Sequence, residues 1–384
     1  MGFLFCEFFV KSVLKKLNYV IIKTMEGYKN INNKNNLIRK IRNYCRKNPK
    51  KVRILLIAIV ILVVISIGVS MIVEESKKQK YVIYNGENLN DEKYPGYKEL
   101  IDKLQENHPN WTFTLFYTKL DWNEVIENEG HIDGNLYPSN LVPDSSEYPD
   151  DWKCEIDKDK RFDNGTWMCA SDKAIKYKMD PRNILNEENI FQFKELNYVE
   201  NAQTVEGLTE ITSRSFLEGD SICRAIIEAG KNSNLDPYFI ASRLIQEQGR
   251  KGTTMSKGYE YNGAIVYNPF NINAIGNSRN EILNNAAIYA YEKGWDSLEK
   301  AIVGGIGYMK EGYINEGQNT LYLQKFDVVK IEGLYKHQYM QNLLAPTSEA
   351  NNMRSIYEYS NTVDSNLNFI IPLYENMPEE ISEE

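Results

Sequence analysis

Among the residues able to do chemistry in this chain, Glu247 has the most unusual placement. It lies near the end of Asp236-Pro-Tyr-Phe-Ile-Ala-Ser-Arg-Leu-Ile-Gln-Glu-Gln248, and Gly249 follows. Asp236 is an N-cap residue type, Pro237 suits a first helical turn, and Gly249 can take the left-handed conformation that stops a helix, so the spacing predicts a helix of about three turns. At about 100° per residue, Glu247 shares an arc with Ile240, Arg243 and Leu244, which puts a carboxyl on the apolar side. Apolar neighbours and the negative end of the helix dipole favour its protonated form, while Arg243 opposes them. A carboxyl that keeps its proton near neutral pH is what a general acid requires. The plainer alternative is an ion pair with Arg243, one turn back. Other chemistries find less support. A cysteine nucleophile needs an adjacent base, but His108, His131 and His337 sit in unrelated contexts, and none has metal-ligand spacing, so no metal and no cofactor is expected.

The elements around Glu247 follow from pattern. Asp220 starts a helix with Ile222, Ala225, Ile226 and Ala229 as its buried stripe, and Ser278-Arg-Asn-Glu281 and Asp296-Ser-Leu-Glu299 are capping boxes opening two more, the first stopped by Gly294. Gly304, Gly305 and Gly307 in the last of these cost about 1 kcal/mol each against alanine, which points to close helix packing. Between Gly249 and Asn271 the chain is too polar and glycine-broken for a helix, and a β-hairpin lobe or mobile flap is expected. Upstream, Tyr97, Leu100, Ile101 and Leu104 recur at helical spacing, Trp111–Tyr117 suits a strand, Asp121 and Glu124 open a short helix, and Ser171 and Asp180-Pro181 open others. Cys154 and Cys169 flank the turn Asp163-Asn-Gly165 and are candidates for a bridge, with Cys223 left over. The run Phe369–Tyr374 reads as a closing strand.

Charge and hydropathy divide the 384 residues. An apolar run of about 20 residues, Ile54 to Val73, matches the hydrocarbon thickness of a bilayer and lacks a cleavage pattern, so one retained transmembrane helix is expected. Residues 1–53 carry 14 Lys/Arg against Glu7 and Glu26; from totals of 45 and 53, the remainder carries 31 Lys/Arg against 51 Asp/Glu. Basic residues beside one end of a span keep that end cytoplasmic, which places residues 74–384 outside as a single-pass type II protein in the cell membrane. The basic run read this way is topological, and no nucleic-acid partner is expected. The chain thus parses as 1–53 basic segment, 54–73 transmembrane helix, 74–92 linker, 93–205 mixed α/β accessory segment and 206–384 helix-rich domain.

The stretch Ile240-Ala-Ser-Arg-Leu-Ile-Gln-Glu-Gln-Gly249, with Tyr267-Asn-Pro-Phe-Asn-Ile272, Gly294-Trp295, Gly304-Gly305 and Gly317-Gln-Asn-Thr-Leu-Tyr322, resembles the glucosaminidase domain of glycoside hydrolase family 73, in order from about Asp220 to Pro346. His108-Pro-Asn-Trp-Thr-Phe113, Leu120-Asp-Trp-Asn123 and Met179-Asp-Pro-Arg-Asn-Ile-Leu-Asn186 resemble the accessory segment of membrane-anchored clostridial versions. The resemblance implies an α+β fold with a lysozyme-like catalytic domain, a peptidoglycan glycan strand as partner, and hydrolysis of the β-1,4 bond after N-acetylglucosamine. A muramidase, a lytic transglycosylase and a non-catalytic wall-binding protein are the rivals. It implies Glu247 as general acid. Glu260, the nearest downstream acidic residue, is the candidate second carboxylate, a solvated loop charge being the alternative. Tyr267, Phe270, Asn271 and Trp295 are candidates for contacting sugar, against a core role for the aromatics, and Tyr322 for orienting the acetamido group.

Overall fold

The protein is described from a computed structural model. Described are residues 78–130, 138–155, 159–162, 165–329 and 333–384, with scattered residues between 39 and 64. The chain forms two compact units, Met1–Lys77 and Lys78–Glu384, and Glu247 belongs to the second. Of the expected span at 54–73, only Ile57, Val60, Ile61 and Val64 are described; they are helical and exposed, and the rest lies outside the described residues. Among the described residues no helix is long and apolar enough to cross a membrane.

The second unit mixes helix and sheet. It runs β1 (Lys80–Ile83), α1 (Tyr97–Asn107), β2 (Thr112–Asp121), α2 (Trp122–Gly130), β3 (Leu141–Pro143), β4 (Trp167–Cys169), α3 (Asp172–Met179), α4 (Pro181–Ile184) and α5 (Val205–Thr212). There follow α6 (Asp220–Ser233), α7 (Pro237–Gln248), α8 (Thr254–Lys257), β5 (Tyr259–Tyr261), β6 (Ala264–Val266), α9 (Arg279–Glu292), α10 (Leu298–Gly312), α11 (Leu321–Lys325), α12 (Ala345–Tyr359) and β7 (Asn368–Glu375).

A three-stranded sheet in the order β1-β2-β7 joins the two ends of this unit. β2 pairs antiparallel with β1 and parallel with β7, from Thr112 opposite Asn368 to Tyr117 opposite Leu373. Phe369 to Tyr374 are all buried, as expected for a strand covered on both faces. Trp111 packs against Phe113, Phe191 and Phe369, so the first motif of the accessory segment is core of this sheet.

Two expected boundaries are corrected by this packing. Residues 74–92 are not a bare linker: Lys80–Ile83 form β1, and Tyr84 and Leu89 are buried in the main core. No division falls at 205/206, because one hydrophobic core runs from Tyr84 to Met377 and includes both the accessory helices and α7. The Met179–Asn186 motif strengthens the join. Asp180 and Arg182 form a fully buried ion pair at 2.8 Å, and Arg182 also donates to the carbonyls of Pro378 (2.7 Å) and Glu380 (3.1 Å) near the C-terminus. Cys154 and Cys169 are bridged with Cα atoms 5.5 Å apart, which ties down the β3–β4 hairpin; Cys223 is free and buried.

Candidate active site

Helix α7 forms where its sequence specifies it. Asp236 caps it by accepting from the amides of Tyr238 (2.7 Å) and Phe239 (3.4 Å), Pro237 takes the first turn, and Gly249 ends it at φ 70, ψ 157, a conformation that disfavours any side chain. The cap is also an anchor. The other Asp236 oxygen accepts from Lys194 Nζ at 2.7 Å and from the Tyr357 hydroxyl at 2.8 Å, and both partners of the Lys194–Asp236 pair are fully buried. Lys194 comes from the accessory segment, so that segment fixes the helix that carries Glu247.

Glu247 is exposed, not buried on the apolar side. The arc deduced for it is correct for Leu244 and Ile240, which are buried, but one turn farther on that face opens onto a cleft of about 300 Å3, which Glu247 meets while Gln248 beside it stays buried. Phe239, Arg243, Phe270, Tyr308, Tyr313 and Tyr339 line that cleft with it. The Tyr339 hydroxyl donates to Glu247 Oε1 at 2.9 Å. Burial pushes the Tyr339 hydroxyl above its ordinary range despite the nearby Arg243, so at neutral pH it is an O–H donor. Glu247 Oε2 has no hydrogen-bond partner among the described residues and is free to meet a ligand.

Arg243 does not pair with Glu247. Its buried guanidinium lies 3.3 Å from the centroid of the Tyr339 ring and 4.8 Å from that of Phe239, and donates to Gln324 Oε1 (2.9 Å) and Glu349 Oε2 (3.3 Å). Arg243 therefore holds the tyrosine that holds Glu247. Burial raises the Glu349 carboxyl above its ordinary value, with Arg243 opposing. Tyr313, whose hydroxyl is also pushed up by burial, stacks on His337 at 4.5 Å and meets Tyr339 edge-on at 5.8 Å.

Of the remaining expected site residues, only Phe270 joins Glu247 in the cleft. It packs against α10 at Gly305, where a β-carbon would overlap its ring, and Trp295 packs likewise against Gly304. Trp295 is thereby core, in a cluster with Val266, Ala286 and Ala290, and not a sugar platform. Tyr267 is half-buried and lines a separate cleft of about 660 Å3 with Phe216 and Lys251. Asn271 is exposed at φ 54, a turn position outside the cleft lining, whereas its neighbour Asn268 is fully buried and staples the motif by accepting from the Ile272 amide and donating to the Ile272 and Ala286 carbonyls. Tyr322 is corrected outright: it is fully buried, donating to the Met179 carbonyl at 2.7 Å and bonded to the Tyr374 hydroxyl at 2.9 Å, so it cannot touch a substrate. Glu260 is exposed on the β5–β6 hairpin and is not among the residues lining the Glu247 cleft.

Sequence reasoning missed Tyr339, Tyr313 and Tyr308. With 26 tyrosines in the chain no single one stands out, and the segment around His337 to Gln341 has no periodicity to place it. Its position comes from distant groups: buried Gln318 donates to the carbonyls of Leu323 and His337, both at 2.8 Å, and its oxygen meets His337 Nδ1 at 2.7 Å. The Gly317–Tyr322 motif thus shapes the site by holding a loop.

No family model matches the chain. Among curated proteins, a β-N-acetylglucosaminidase of Bacillus subtilis (strain 168) is 28% identical over 193 residues, which are 49% of this chain and 21% of that protein. A bifunctional autolysin of Staphylococcus epidermidis is 27% identical over 217 residues, covering 54% of this chain and 16% of the relative. The matches therefore span about a fifth or less of these relatives' length. Among solved structures, a major bifunctional autolysin superposes with a TM-score of 0.50 at 22% identity, over 68% of this chain and 98% of its own. Glucosaminidase B of S. aureus does so with 0.51 at 20% identity, over 71% and 97%. The chain is thus similar in sequence to bacterial glucosaminidases and autolysins, as its motifs indicated, and it has the fold of the solved glucosaminidases.

Proposed function

We propose that the chain is a peptidoglycan hydrolase that cleaves the β-1,4 bond between N-acetylglucosamine and N-acetylmuramic acid, with Glu247 as general acid. The observation that carries the reading is Glu247 itself, at the mouth of an aromatic-lined cleft with Oε1 held by Tyr339 and Oε2 open, in a chain similar to glucosaminidases. A proton delivered from Oε2 to the glycosidic oxygen lets the leaving sugar depart without becoming an alkoxide. The hydrogen bond from Tyr339 stabilises the carboxylate left behind. Among the described residues Glu247 is the one carboxylate lining the cleft, which favours the substrate's own acetamido group, over Glu260, as the partner that supports positive charge at the anomeric carbon.

The test identifies the bond. Purified peptidoglycan is digested with the chain, the fragments are reduced with borohydride, and the newly reduced sugar is identified by mass spectrometry. Reduced N-acetylglucosamine is expected. Reduced muramic acid, a 1,6-anhydro end or no new end would assign the chain to a muramidase, a transglycosylase or a binding protein instead. We further propose that the chain is held in the membrane by residues 54–73 with residues 74–384 outside, on the basic flank before the apolar run. Protease added to intact, wall-stripped cells should then remove the part after the span, and full protection would reverse the orientation.

A further inference from the structure

A second pocket, of about 570 Å3, lies beside the Glu247 cleft between the β3–β4 hairpin and residues 335–342. Its lining includes Trp167, Tyr335, Lys336, Tyr339, Gln341 and Asn342. Tyr339 lines both cavities, so the two adjoin at that ring. The volume falls in the range of ordinary ligand sites.

The pocket is built, not an accidental gap between segments. Lys325, almost fully buried beneath it, donates from one ammonium to the carbonyl of Ser139 (3.1 Å) on one wall and to the Met340 carbonyl (3.0 Å) and Gln338 Oε1 (3.0 Å) on the other. Backbone bonds from Leu141 N to Gln341 O (2.8 Å) and from Leu343 N to Leu141 O (2.9 Å) close the same seam. On the hairpin side the Cys154–Cys169 bridge fixes the strand that carries Trp167. A site whose walls are held before the ligand arrives loses less ordering entropy on binding.

The lining states the ligand's chemistry. Trp167 and Tyr335 are half-buried, so each keeps surface to lay against the apolar face of a sugar. Gln341 Nε2 donates to the Pro138 carbonyl (2.6 Å) and Asn342 Oδ1 accepts from the Leu344 amide (2.9 Å), which leaves Gln341 Oε1 and Asn342 Nδ2 for ring hydroxyl and acetamido groups. Among the described residues, Lys336 is the only charged one in the lining, is exposed and has no ion pair, although the chain carries a net charge of −8. An uncompensated ammonium in an acidic chain suits a carboxylate-bearing ligand.

We infer that this pocket binds the glycan strand beyond the scissile bond, holding one sugar with its acidic stem peptide; the inference rests on the peptidoglycan reading of the Glu247 site. It gives the accessory segment a part in substrate choice, because β4 and its disulfide supply the aromatic wall. Peptide-bearing strands are then preferred over stripped ones.

Calorimetry on the full chain carrying Glu247→Gln, which leaves the ligand uncut, tests this with two probes: a peptidoglycan tetrasaccharide with its stem peptides, and the same tetrasaccharide freed of peptide by an amidase. Adding Lys336→Gln should weaken binding of the peptide-bearing probe about tenfold and leave the stripped probe unchanged, while Trp167→Ala should weaken both by about tenfold. Lys336 is exposed, so its variant keeps the test valid should Trp167→Ala disturb folding. If both variants bind both probes as tightly as the Glu247→Gln chain, the pocket assignment is wrong and the cleft reading stands. If the Glu247→Gln chain itself binds neither probe, the peptidoglycan reading fails and the pocket assignment with it.

Discussion

At the scale of single residues, the site depends on which groups hold protons. Glu247→Gln keeps the shape of the side chain and the acceptor for Tyr339 but has no acidic proton, so wall-digesting activity should fall by about 10²-fold or more with the unfolding transition unchanged. Tyr339→Phe keeps the ring over Arg243 and removes only the hydroxyl, and should lower kcat by about tenfold, since a hydrogen bond to a charged group is worth about 1.5–3 kcal/mol. Equal turbidity clearance by parent and Glu247→Gln would make Glu247 a structural residue. Glu129 is a separate case. It is buried, its Oε1 and Asn140 Oδ1 both lack a donor, and Asn140 Nδ2 donates to its Oε2 at 3.0 Å. Burial raises this carboxyl above its ordinary 4.5, with Lys325 opposing. Because the folded value lies above the unfolded one, the stability Glu129 contributes is complete below pH 4.5 and is lost as the pH rises through the folded value. As the pH rises above 4.5, denaturant unfolding should show the parent losing stability relative to Glu129→Gln, whose amide donates at every pH; parallel curves would mean that Glu129 is ionised throughout.

At the scale of elements, the glycines of α10 separate two roles that composition alone treats as one. Gly305 lets Phe270 lie against the helix, and an added β-carbon would overlap that ring, whereas a β-carbon at Gly307 meets nothing within 4 Å. Gly305→Ala should therefore destabilise by about 1–3 kcal/mol and displace Phe270 in the Glu247 cleft, raising KM. Gly307→Ala should stabilise by up to about 1 kcal/mol, because alanine loses less backbone entropy in a helix interior. Thermal denaturation of the two variants distinguishes these signs. Equal effects would mean that close packing at Gly305 is not required. The stretch from Gly249 to Asn271 holds the expected β5–β6 hairpin, turned by Asn262 and Gly263 at φ 48 and 74 with Glu260 exposed on it, but it also forms the one-turn helix α8, closed by a capping box between Thr253 and Ser256, where no helix was expected.

At the scale of the whole molecule, the accessory segment and the helical region are one folding unit. β7 needs β2 as its partner, and Asp236 needs Lys194, which contributes a buried cation that cannot be removed without leaving a buried charge alone, at a cost of about 3–5 kcal/mol. A fragment of residues 206–384 should consequently fail to fold, read as loss of the cooperative transition and of near-ultraviolet dichroism, while residues 78–384 should retain both. A cooperatively unfolding 206–384 fragment would restore the boundary at 205/206.

The sequence by itself determined what depends on near neighbours. Asp236, Pro237 and Gly249 set the ends of α7, Ser278 set the start of α9, and the alternation in Trp111–Tyr117 announced β2, because caps, turns and strand faces are decided within a few residues, whereas Cys154 and Cys169 were candidates only until the fold set their Cα atoms 5.5 Å apart. The motif order likewise pointed to Glu247 and to the glucosaminidase likeness. Tertiary structure decided which motif residues face a ligand. Trp295 and Tyr322 are inside because α10 and the Met179–Tyr374 region close over them, and no periodicity reports that. Glu247 is exposed because it faces a cleft, while Ile245 and Gln248 of the same last turn still pack inward, and its partner Tyr339, 92 residues away, is brought to it by Gln318, Lys325 and Arg243, contacts that local pattern cannot encode.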